Sequence, residues 1–165
     1  IELAKNCYLK SIELSPTFSQ AWLGLGIIED LNGKTKEGIS LFHKALEYSP
    51  DNAGIHHVLA SAYEKSKENK LADSHYKKSL ELDSSDMQCL GDYMNFLMSI
   101  NLNKSCEFIT SFNEINGQDT QSWIWEVNVK WLIGKDCGLG ENRSDNCLFL
   151  FFNSYFKLAI SAYLW

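Results

Sequence analysis

Along the first half of the chain, apolar and small residues recur at helical spacing and the pattern then repeats as a block. Ala4/Tyr8/Ser11, Gly38/Phe42/Ala45 and Ala72/Tyr76/Ser79 each set a small residue, an aromatic four positions on and a second small residue three further. An i, i+4, i+7 spacing puts all three on one helix stripe, where small side chains admit a neighbouring helix and the ring fills the space between. A second helical pattern recurs ahead of two of these stripes, as Ala21-Trp22-Leu23-Gly24-Leu25-Gly26 with Glu29 and Ile55-His56-His57-Val58-Leu59-Ala60 with Tyr63. Gly26 and Ala60 are the expected points of closest approach.

The block length is 34 residues, measured between Lys10–Pro16, Lys44–Pro50 and Lys78–Ser84. Asn32-Gly33-Lys34 and Ser66-Lys67-Glu68-Asn69 supply turn chemistry between the two helices of a block, and Pro16 and Pro50 close the second ones. Each block therefore reads as a helical hairpin. Units are expected at 19–52 and 53–86, after the second helix of a truncated first unit at 1–18. A degenerate fourth unit runs over 87–113 through Tyr93, Met94, Phe96, Leu97, Cys106 and Phe108. A unit cut at its first helix suggests a piece of a longer protein.

With the 34-residue period, Trp22-x-x-Leu25-Gly26, Gly38, Phe42, Ala45 and Pro50 on the page, the chain resembles the tetratricopeptide repeat. The resemblance is strong over residues 4–84 and weak over 87–113. It implies an all-α fold of the α-α superhelix (solenoid) class. It also implies a protein-protein interaction scaffold or adaptor inside a larger intracellular protein, cytoplasmic or nuclear, with a peptide or partner helix on the concave face.

In similar repeats the concave positions correspond here to Gln20, Leu23, Ile27, Asp30 and Leu31, then His57, Ser61, Glu64 and Lys65, then Gln88 and Asn95. Family members that grip acidic chaperone tails do so with Lys, Arg and Asn on this face. Leu23, Ile27, Val58 and Ser61 stand where those groups would be, so an amphipathic or apolar segment suits the groove better. Two other readings carry weight: repeats that recognise substrate for a catalytic domain outside this chain, and an adaptor anchored in a membrane.

The remaining third, 114–165, diverges. Asp119 or Thr120 is placed to cap a helix reaching about Leu132, with Trp123, Val127 and Trp131 as its core stripe and Trp125 off it. Gly134, Gly138 and Gly140 lie in a polar loop. Leu148–Trp165 is apolar enough to be the chain's one membrane candidate, but Lys157 near its middle favours a buried helix or a strand-like tail.

Charge and chemistry narrow the reading further. A net charge of −6 opposes phosphate-driven binding, and the lysines at 65, 67, 70, 77 and 78 are diluted by Glu64, Glu68 and Asp73, so no nucleic-acid partner is expected. Five scattered cysteines without a C-x-x-C pair signal neither a disulfide framework nor a zinc site. His56, His57 and His75 are the one grouping that suggests metal ligation or a proton relay. Adjacent helical residues point about 100° apart and no H-E-x-x-H spacing completes a set, so the histidines read as structural or surface groups. No nucleophile, phosphate-loop or dinucleotide signature occurs. The expectation is of no enzyme activity, no cofactor and no metal.

Overall fold

The computed structural model describes residues 2–117 and 120–132. They form eight α-helices and no strand among the described residues: α1 Glu2–Leu14, α2 Ser19–Leu31, α3 Thr35–Tyr48, α4 Ala53–Lys65, α5 Asn69–Leu82, α6 Met87–Ile100, α7 Leu102–Asn116 and α8 Thr120–Leu132. The fold is an all-α helical repeat of the superhelix class. No described helix is long and apolar enough to cross a membrane. Asp119, the glycine-bearing loop and the Leu148–Trp165 stretch lie outside the described residues. The chain divides into two compact units, residues 1–93 and 94–165.

In the first unit the small-aromatic-small stripe works as its spacing demands. A Cβ placed on Gly26 would stand 2.5 Å from the Phe42 ring and 3.2 Å from the Gly38 carbonyl, and one on Gly38 3.0 Å from the Gly26 carbonyl. Helices α2 and α3 therefore meet backbone to backbone, with Phe42 and Ala45 buried beside the contact. In the next hairpin Ala60, Ala72, Tyr76 and Ser79 take these places, all essentially inaccessible. Ser79 replaces the usual alanine without an orphaned hydroxyl, because its Oγ donates to the Ala53 carbonyl at 2.9 Å.

The turns repeat as closely as the helices. After α2, Gly33 N–H donates to Asp30 O and Lys34 N–H to Glu29 O; after α4, Lys67 N–H donates to Glu64 O and Glu68 N–H to Tyr63 O. This 5→2 and 6→1 pairing requires a left-handed residue at the helix exit, supplied by Gly33 at φ 80° and Lys67 at φ 61°. Helix starts recur too. Asn52 accepts from Ile55 N–H at 3.2 Å and Asp86, one period on, from Cys89 N–H at 3.0 Å. Each satisfies a donor that the helix itself leaves open.

In the second unit Met94, Phe96, Leu97, Cys106, Ile109 and Phe112 are buried. Helix α8 spans the expected residues and buries Val127 of the expected stripe together with residues beside it. Ser122, Glu126, Val127 and Val129 are buried, Trp123 is half-exposed, and the side chain of Trp131 is outside the described set. A polar contact joins the helix to α7. Asn113 of α7 donates its Nδ2 to Glu126 Oε2 at 2.6 Å, and Lys130 ion-pairs with the same carboxylate.

Candidate partner-binding face

Helices α2 and α4, the first helices of the two best-defined hairpins, lie side by side in the first unit. Of the residues expected on this face, Gln20 is exposed, Leu23 half-buried, Ile27 38% exposed and Leu31 70% exposed. The three apolar side chains follow one another at i, i+4, i+8, so α2 shows a narrow apolar row that its own hairpin leaves uncovered.

The polar members are mostly engaged within the chain. Asp30 Oδ2 pairs with Lys65 Nζ at 2.5 Å, tying α2 to α4. Asp30 Oδ1 is buried and accepts no hydrogen bond. His57 Nε2 lies 2.9 Å from Asp92 Oδ2, tying α4 to α6. Glu64 accepts from the Tyr76 hydroxyl at 2.8 Å. Ser61 is half-buried between these ties and Gln88 is exposed. Asn95, also exposed, belongs to the second unit.

The contacts that sequence reasoning missed are those between hairpins, and they have a period of their own. Asp30–Lys65 and His57–Asp92 are each 35 residues apart. The ring-hydroxyl contacts His43–Tyr63, at 2.7 Å, and Tyr93–Asp73, at 2.7 Å, are each 20 apart. A search for complementary polar pairs at one residue more than the repeat would have found the first two. Burial, followed by the acceptor each hydroxyl holds, drives the phenols of Tyr76 and Tyr93 well above their ordinary range, so both stay neutral donors.

The three histidines singled out from the sequence part company. His56 is buried, with Nε2 3.0 Å from the Pro50 carbonyl and Nδ1 2.9 Å from His75 Nδ1. A carbonyl only accepts, so His56 Nε2 carries a proton. His75 stacks on Tyr63 at 5.5 Å between centroids. Burial and then the neighbouring His56 and His43 pull its pKa down to about 4. Beside them Ser74, Lys77, Lys78 and Glu81 complete the lining of an open cavity of about 310 Å³. His57 points the other way, toward α6.

Comparison with known proteins places these hairpins. Residues 7–39 and residues 53–86 each match a tetratricopeptide repeat family model. The type IV pilus assembly protein PilF of Pseudomonas aeruginosa is 39% identical over 75 residues, 46% of this chain and 29% of that protein. The anaphase-promoting complex subunit 3 of Schizosaccharomyces pombe is 24% identical over 134 residues, 81% of this chain and 19% of that protein. The chain thus spans less than a third of either curated relative. Among solved structures, YrrB, a TPR protein with an unusual peptide-binding site, superposes with a TM-score of 0.64 at 18% identity, covering 99% of this chain and 84% of that one. At that identity the likeness concerns the fold.

Proposed function

We propose, from the premise that this chain is a tetratricopeptide-repeat protein, that its α2–α4 face holds an amphipathic partner segment on the concave side of the repeats. The chain is a protein-protein interaction module, and the finer reading makes it an adaptor within a larger protein. One observation carries the reading: the row Leu23, Ile27, Leu31 is half-buried at its first member and exposed at the other two. Exposed apolar side chains aligned on one helix suit a partner that brings its own apolar stripe. Similarity to a pilus-assembly protein and to an anaphase-promoting complex subunit supports work inside a multiprotein assembly, and the peptide-binding site of YrrB supports a peptide-like ligand. The proposed role is a non-catalytic one.

The test selects peptides from a displayed random library on the full chain and measures their affinity by fluorescence anisotropy. Enriched peptides carry apolar residues at i, i+3 or i+4 spacing, and the Leu23→Asp, Ile27→Asp double variant weakens them at least tenfold with helicity unchanged by circular dichroism. Peptides that bind the variant as tightly as the parent chain would remove this face from consideration.

A further inference from the structure

We propose that His57, Asp86 and Cys89 form a binding site for one divalent transition-metal cation of the zinc class, joining α4 to the first turn of α6. The inference is independent of the partner-binding reading above. One donor atom from each of the three side chains lies within 4.8 Å of the other two, a spread that a single cation closes with small side-chain adjustments. Asp86 and Cys89 are three apart at a helix start and so face the same way. Asp86 keeps both tasks, since Oδ1 caps the helix through Cys89 N–H while Oδ2 is turned toward His57 Nδ1 at 3.8 Å.

The arrangement around His57 is what points to a cation. Its Nε2 lies 2.9 Å from Asp92 Oδ2, and an ionised carboxylate only accepts, so Nε2 carries the proton. The other ring nitrogen, Nδ1, faces the Asp86 carboxylate, so a cation placed there meets imidazole and carboxylate donors together. A carboxylate holding the far N–H of a histidine is also the outer-shell support found at metal-bound imidazoles, fixing tautomer and ring orientation. A bare proton on Nδ1 would make an ion pair there without drawing in the Cys89 sulfur that lies beside it.

The donor set selects the ion. Thiolate with imidazole favours zinc or cobalt over magnesium or calcium, which prefer all-oxygen shells. Thiolate and carboxylate together balance the two positive charges, and the thiol proton leaves to solvent as the metal binds, so affinity rises with pH. Three protein donors leave a fourth tetrahedral position for water or for a partner's donor group.

The site is tested on the full chain in a Cys7→Ser background, which removes an exposed thiol, by titration with Co²⁺ followed by back-titration with Zn²⁺. One equivalent of cobalt should produce tetrahedral d–d bands and a thiolate charge-transfer band, both bleached by zinc. Cys89→Ser should abolish the charge-transfer band. Asp92→Asn should keep the band and weaken affinity about tenfold to a hundredfold. Because Cys89 is fully buried and its replacement can disturb packing, Asp86→Asn provides the fold-neutral arm, as asparagine caps a helix as well as aspartate does. It should lower cobalt affinity at least tenfold at unchanged helicity. Absence of the bands, a charge-transfer band that survives in Cys89→Ser, or parental affinity in Asp86→Asn would each overturn the proposal.

Discussion

The two helix exits at Gly33 and Lys67 are the same structure built from different residues, and exchanging the residue type at each should move stability in opposite directions. Gly33 has φ 80° and Lys67 φ 61°, the latter being the one non-glycine residue with positive φ among the described residues. A left-handed backbone costs an ordinary L-residue about 1–2 kcal/mol through the contact of Cβ with the following carbonyl. Glycine escapes that strain but gives up about 0.4–1 kcal/mol through the greater freedom of its unfolded chain. The difference leaves Lys67→Gly about 1 kcal/mol more stable and Gly33→Ala about 1 kcal/mol less stable. The second substitution is clean, because a Cβ on Gly33 has no neighbour within 4 Å and only the backbone is perturbed. Urea unfolding of the full chain, followed by far-ultraviolet circular dichroism, should move the midpoint by roughly 0.3–1 M in each direction. A neutral Gly33→Ala, or a Lys67→Gly that loses stability, would refute the argument that the exits are set by backbone geometry alone.

Two further outcomes follow from the packing and the buried histidine. Gly26→Ala brings a methyl group within 2.5 Å of the Phe42 ring and 3.2 Å of the Gly38 carbonyl, and should cost about 1–3 kcal/mol in urea unfolding; Gly54→Ala, whose nearest neighbour would be Asn52 Oδ1 at 3.4 Å, is the tolerated control. For His75 the folded chain holds the pKa down from 6.5 to about 4, so below pH 6.5 the unfolded chain takes up a proton that the folded one does not. That contribution is complete above pH 6.5 and is lost as pH falls toward about 4, by about 1–3 kcal/mol after allowance for the ring's partial exposure. His75→Gln should flatten the slope of unfolding free energy across that window, and an unchanged slope would assign it elsewhere.

The sequence disclosed what depends on one helix at a time. The 34-residue period, the interlock of Gly26, Gly38 and Phe42, and the turns at Asn32-Gly33-Lys34 and Ser66-Lys67-Glu68-Asn69 all follow from local spacing, and the helices fall where that spacing puts them. What stayed hidden is the rotation of one helix against the next. Of the Trp123-Val127-Trp131 stripe in α8, Val127 is buried and Trp123 is half-exposed. The Asn113–Glu126 hydrogen bond accounts for two further buried residues of the α7–α8 seam, and both look like surface residues when read along the chain. The same blindness concealed Asp92 as the partner of His57. A contact 35 residues away carries no local signal, and only its echo in Asp30–Lys65 makes it legible.

Those two ties bear on how the proposed face discriminates between partners. The Asp30–Lys65 pair joins an aspartate side chain 12% exposed to a lysine 53% exposed, and pairs so open to water contribute about 0–1 kcal/mol. Their value lies in register rather than strength. Asp30–Lys65 fixes α4 beside α2 and His57–Asp92 fixes α6 beside α4, so the proposed face would be met by a partner without first being ordered, which would spare part of the entropy cost of association. They also occupy the charges that would otherwise attract an oppositely charged tail. A highly charged peptide must compete with Lys65 for Asp30 or with Asp30 for Lys65, while an apolar stripe on the partner displaces only water from Ile27 and Leu31. On the proposed reading, selectivity would come from apolar shape on α2 and from the polar groups being already engaged on α4.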